Sequence, residues 1–141
     1  MKYIIDAANN LTNKYTTRDP FELAECLGIQ VVFFPFKKIR GLIIELGNKK
    51  VIGLNSELNE HIQRAVLAHE LGHHEVSPVG VGYFFLEEQT HYSLNKQEYQ
   101  ANYFAAILLL SDTPPEYGEN IEQYAARVQV PIELAKIKLI T

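Results

Sequence analysis

Residues 2 to 15 read as a helix, and Thr17-Arg18-Asp19-Pro20 sets a capping residue ahead of a proline. That arrangement starts a second helix, which runs through Leu27 and ends at Gly28. The pattern then changes to runs rich in β-branched and aromatic residues, Ile29 to Phe36, Ile39 to Leu46 and Lys49 to Asn55, each predicted to be a strand. Gly47-Asn48 supplies a tight turn between the last two, which makes at least that pair antiparallel. A helix follows over about Asn59 to Glu75, stopped by Ser77-Pro78 and by Gly80 and Gly82, and a loop continues to about Ser93. Asn95 to Leu110 is apolar on nearly every side, the mark of a central buried helix, and Pro114-Pro115 closes the region after it. Two short helices, roughly Asn120 to Val128 and Pro131 to Ile140, complete the chain. With no repeat, linker or low-complexity stretch, residues 1–141 are predicted to form a single α+β domain, a small three-stranded, partly antiparallel sheet packed on helices.

Chemistry sits on the helix that follows the strands. Ile62, Val66, His69 and His73 fall at i, i+4, i+7 and i+11, so two histidines continue an apolar, core-facing stripe. The bland reading, ordinary histidines satisfied by local hydrogen bonds, fits that position poorly, because two buried imidazoles want a shared partner. At ~100° per residue His69 and His73 lie about 40° apart with about 6 Å of rise, close enough to reach one ion. Glu70 projects from a neighbouring direction. His69-Glu70-Leu71-Gly72-His73 is therefore an HExxH motif, supplying two metal ligands and a base. Zinc suits imidazole nitrogen, brings the pKa of bound water to about 7, and needs a carboxylate to accept the proton. Gly72 costs the helix ~1 kcal/mol relative to alanine and marks a place where something approaches closely.

Size and charge narrow the remaining classes. At 141 residues and 47% hydrophobic the chain can bury a core but has no room for a second catalytic domain. Cys26 is the one cysteine, and its apolar neighbour Leu27 favours a packed thiol in a reducing compartment. The first ten residues carry only the brief apolar run Tyr3-Ile4-Ile5, too short for a signal sequence, so a cytoplasmic location is expected. Tyr103 to Leu110, the longest apolar run, falls well short of the ~18 residues a membrane span needs. A formal charge of −4 with 13 basic residues leaves no broad cationic face, which disfavours direct nucleic-acid binding.

A catalytic zinc usually has three protein ligands and a position open to water. The extended pattern HExxHxxGxxH is excluded, because Val76 and Val79 stand where it requires glycine and histidine. Of Glu87, Glu88, His91 and Glu98, only Glu98 lies on the apolar helix, with Asn102 one turn later. Glu98 is thus the third ligand expected, against the plainer role of an acidic residue near a helix start. The Asn102 amide oxygen can accept the outer N–H of a ligand histidine and hold its tautomer.

The strings AHELGHH at 68–74 and EYQANYFAAILLL at 98–110 resemble the ImmA/IrrE family of small metallopeptidases of mobile elements, phages and bacterial regulators. DPFELAECLGI at 19–29 and VIGLNSEL at 51–58 are similar to the family as well, so the resemblance covers more than half the chain. It implies a minimal, gluzincin-like zincin in which His69, His73 and Glu98 bind one zinc ion, with manganese as a possible substitute. It further implies Glu70 as general base, Asn102 behind the ligands, and cleavage of a helix-turn-helix transcriptional repressor that relieves repression. In that scheme Glu70 takes a proton from water and passes it to the leaving amine. His91, Tyr92 and Tyr103 remain open as donors to the developing oxyanion.

Substrate is expected to add as a strand along an exposed sheet edge, and Lys49 to Asn55, with Val51, Ile52, Gly53 and Leu54 at its centre, leads directly into the motif helix. The competing reading is that this strand is interior. His74 is expected to meet the terminal carbonyls of its helix, and His61 to lie away from the site. A different functional class is a metal-containing regulatory, DNA-binding or partner-binding protein without proteolytic turnover. Residues 124–131 join two helices by a short turn as helix-turn-helix units do, but with only Lys136 and Lys138 to face phosphate, packing against the core is the better reading.

Overall fold

The computed structural model describes residues 1–76 and 96–141, and the backbone of 83–86. Six described helices and four strands follow in the order α1 (Lys2–Tyr15), α2 (Pro20–Cys26), β1 (Gln30–Phe34), β2 (Ile39–Leu46), β3 (Lys49–Asn55), α3 (Glu60–Val76), β4 (Tyr83–Leu86), α4 (Lys96–Leu110), α5 (Ile121–Val128) and α6 (Ile132–Leu139). The strands form one mixed sheet in the order β1-β3-β2-β4. This is the α+β arrangement expected, with the short strand β4 added from a stretch read as loop. The proposed stop of α3 at Ser77-Pro78, Gly80 and Gly82 lies outside the described residues.

The Gly47-Asn48 turn folds β3 back on β2, with Ile43 opposite Ile52 and Gly41 opposite Leu54. On its other side β3 pairs in parallel with β1, from Gln30 against Val51 to Phe34 against Asn55. β3 is therefore interior, and the expectation that Val51, Ile52, Gly53 and Leu54 form an open edge is corrected. Both sides of its backbone are occupied, and Ile52 and Leu54 are fully buried. Among the described residues the sheet edges are β1 and β4, the latter paired antiparallel with β2.

Period-two alternation decides which face of the sheet meets the helices. Gly41, Ile43, Ile52 and Leu54 share the face against α3, where a Cβ on Gly41 would fall 2.5 Å from Val66 Cγ1. That glycine lets the helix lie close on the sheet. Asn55, 1% exposed, holds the top of β3 by donating to the carbonyls of Phe36 and Ile39 and accepting from the Glu57 N–H.

Helix α4 is the centre of the core, as its all-round apolar sequence predicts, and packs against α1, α3 and α6. Its last carbonyls are met by the Arg18 guanidinium, 3.2 Å from Leu108 O, while Arg18 Nε bonds Asp112 at 3.1 Å. Asp19 caps α2 by accepting from the Phe21 N–H, as the residues before Pro20 forecast. Helix α6 buries Leu134, Ala135 and Ile137, and α5 buries Tyr124 and Ala125, so this pair serves the core. Cys26 is exposed, which corrects the expectation of a packed thiol. It occupies the last position of α2, where the helix ends and leaves it uncovered. No described helix is long and apolar enough to cross a membrane.

Candidate metal centre

Ala65 through His73 are buried without interruption in α3, and so is α4 from Gln100 to Leu110. The helices cross at Gly72. A Cβ there would stand 2.9 Å from both Cα and O of Ala101 and 3.2 Å from Phe104 Cβ, so only glycine permits this approach. The close crossing brings Glu98 and Asn102, one turn apart on α4, to the two histidines one turn apart on α3.

Glu98 presents one oxygen to each imidazole. Its Oε2 lies 2.9 Å from His69 Nε2, and its Oε1 lies 2.9 Å from His73 Nε2. The rings stand edge to face, with centroids 4.8 Å apart. On the far side of His69, Nδ1 is 2.7 Å from Asn102 Oδ1. An amide oxygen only accepts, so the proton belongs on Nδ1 and the Nε2 lone pair is left facing a carboxylate oxygen. Two acceptors tolerate that separation when a cation, a proton or a metal ion, joins them.

Electrostatics at the cluster follow from burial and these contacts. Burial alone would hold His69 neutral, but its bond with Glu98, the charges of Glu70 and Glu98 and the Asn102 contact outweigh it and raise its pKa. For His73 burial prevails and lowers the pKa, against the pull of Glu98. Burial works against the charged form of Glu98 too, yet the two imidazoles hold its carboxyl down at about 2. Glu70 is fully buried, and neither carboxylate oxygen has a hydrogen-bond partner among the described residues. Burial, offset in part by His69 and reinforced by Glu98, pushes it up to about 8.

One ligand atom each from His69, His73 and Glu98 lies within 4.8 Å of the others. Two imidazole nitrogens and a carboxylate oxygen make a donor set that zinc takes in catalytic sites with a further position for water. The residues fit a metal ion, since a buried carboxylate faces two buried imidazole nitrogens.

The pattern of the IrrE N-terminal-like domain, peptidase family M78, matches residues 24–139. The chain belongs to this family. It is also 36% identical over 137 residues to "Uncharacterized immunity region protein 2" of Bacillus phage phi105, an alignment covering 94% of this chain and 86% of that protein. The M78 match takes in both helices of the candidate metal centre and the strands ahead of them.

Other positions anticipated from sequence fall less centrally. His61 is exposed near the start of α3, apart from the cluster as expected. His74 departs from expectation: instead of terminal carbonyls, its Nδ1 meets Lys50 Nζ at 2.9 Å. Sequence reasoning passed over Lys50, although alternation along β3 places it on the helix-facing side with Ile52 and Leu54. Tyr103 is buried and packs on Tyr99, with ring centroids 6.2 Å apart. Glu87, Glu88, His91 and Tyr92 lie outside the described residues.

Proposed function

We propose that the chain is a zinc-dependent, site-specific endopeptidase, with manganese as the alternative ion, whose substrate is a helix-turn-helix transcriptional repressor. His69, His73 and Glu98 would hold the ion, which when bound polarises the scissile carbonyl and acidifies a water molecule. Glu70 accepts the proton of that water and delivers it to the departing amine. Asn102 holds the His69 ring in the tautomer that turns Nε2 toward the centre.

The observation that carries this reading is Glu70, a carboxyl group buried without a hydrogen-bond partner among the described residues, beside a three-donor cluster. A structural metal site has no use for such a group, whereas water activation needs one. Membership of a peptidase family supports hydrolysis, and the phage relative named for an immunity region supports a repressor as target. The test is incubation of the zinc-loaded protein with a helix-turn-helix repressor drawn from the genes that neighbour its own, followed by mass spectrometry. Two fragments whose masses sum to the repressor plus one water are expected, lost on chelation and restored by zinc. An intact repressor, with zinc demonstrably bound, would refute this substrate.

A further inference from the structure

We propose that β1 is a self-recognition strand, through which two copies of the chain pair antiparallel about a two-fold axis at Val32 and join their sheets. The strand Gln30-Val31-Val32-Phe33-Phe34 lies at the sheet edge, and among the described residues no strand covers its outer side. The Phe34 carbonyl accepts from the Ser56 N–H at 3.0 Å, and Phe34 pairs with Asn55. In a parallel ladder this turns the backbone groups of Gln30, Val32 and Phe34 toward β3, and those of Val31 and Phe33 outward.

Edge strands of soluble proteins are ordinarily blunted by charge, proline or a bulge. β1 has no charged residue and no proline, and it exposes Val32 at 38%, Phe33 at 52% and Phe34 at 56%. The two phenylalanines are also held in place. Phe33 stacks on Phe21 with centroids 6.4 Å apart, and Phe34 leans on Phe36 at 5.1 Å.

An open, uncharged edge is a template for another strand, and β1 is complementary to itself. In an antiparallel pair centred on Val32, Val31 faces Phe33 of the partner copy and the reverse, each exchanging both outward backbone hydrogen bonds. Val32 faces its own copy as a non-hydrogen-bonded pair. Charge favours the same direction. Exposed Lys37 and Lys38 follow β1, while exposed Glu22 and Glu25 on α2 precede it, so antiparallel pairing sets basic ends beside acidic ends twice. Parallel pairing would set like beside like. A strand pair with a few aromatic contacts falls near or below the low end of specific interfaces, about 1,200 Å². The dimer is therefore weak and concentration-dependent.

Sedimentation of the full chain over roughly a hundredfold concentration range should show the mass climbing from the 16.1 kDa monomer toward twice that value. Val32→Lys, which sets two ammonium groups opposite each other, should weaken association by at least about tenfold. In a Cys26→Ser background, Val32→Cys should cross-link two copies under oxidised glutathione, because non-hydrogen-bonded pairs hold their Cβ atoms close. Leu46→Cys in the same background, exposed at the end of β2, should not. A monomeric mass throughout, a dimer untouched by Val32→Lys, or equal cross-linking of the two cysteine variants would overturn the proposal.

Discussion

Helices α5 and α6 pack together and bury Ala125, Leu134 and Ala135, while Glu122 and Lys136 stay exposed and Arg127 pairs with Glu119 at 2.7 Å. The polar group this pair carries inward is partnered, the Tyr124 hydroxyl donating to Thr113 O at 2.8 Å. Helices α3 and α4 meet through Gly72 and Ala101 and enclose two histidines, two glutamates and an asparagine, one glutamate without a hydrogen-bond partner among the described residues. A buried ionisable group without a hydrogen-bond partner is costly whether it keeps its charge or must take up a proton to lose it. Under the proposed function the difference separates a contact that serves stability from one that gives up stability for chemistry, and each half of the contrast can be attacked by substitution.

Glu70→Gln should have the largest effect. It preserves shape and removes the base, so cleavage should fall by about 10²–10⁴-fold while zinc content stays at the wild-type level. Fragment yield by mass spectrometry and metal analysis of the same sample check both halves. His69→Ala or Glu98→Ala should lose the metal itself. A Glu70→Gln protein that retains full biological activity would place the chain among metal-containing regulators without turnover. On stability the sign reverses. The variant should melt no lower than wild type, because burial pushes Glu70 up to about 8, so near neutral pH folding must protonate a group that is ionised in the unfolded chain, and an amide carries no such cost.

Much of this contrast was legible in the sequence. The stripe through Ile62, Val66, His69 and His73 needs only helical periodicity, and Glu98 stood out as an acid at the start of an otherwise apolar helix. Helix and strand limits came within a residue or two for the same reason: caps, turns and periodicity are local. What failed was non-local. That β3 is interior depends on β1 crossing over to its far side, and the short turn between β2 and β3 says nothing about a third neighbour. β4 spans only Tyr83–Leu86, too short for alternation to separate it from loop, and takes its strand character from pairing with β2. The Lys50–His74 contact and the exposure of Cys26 likewise follow from how elements pack.

Asn102→Ala should have the next effect, lowering metal affinity by about 10–100-fold with the fold kept, since it frees the His69 ring without removing a ligand. Competition with a fluorescent chelator measures it. Unchanged affinity would reduce the 2.7 Å contact to an ordinary buried hydrogen bond. Gly72→Ala tests the crossing. A methyl group 2.9 Å from the Ala101 backbone has no flexible neighbour to displace, so α4 must move and carry Glu98 with it. Overpacking of this kind costs about 1–3 kcal/mol, and a fall in zinc affinity alongside the lower melting temperature would show that the crossing sets the ligand geometry.

Leu134→Ala applies the opposite test and should have the smallest effect on chemistry. Leu134 is 3% exposed where α6 packs on the core, so its truncation leaves a cavity costing about 2–5 kcal/mol of stability, read from denaturant unfolding. α6 packs against α4, which carries Glu98 and Asn102, so the two regions are not mechanically isolated. If they are nonetheless independent in energy, zinc stoichiometry and cleavage per folded molecule should stay within about twofold of wild type, as expected of sites sharing no partners. A parallel loss of zinc affinity would instead make the C-terminal helices part of the scaffold that holds Glu98 against the histidines, and the two pairs would have to be treated as one unit.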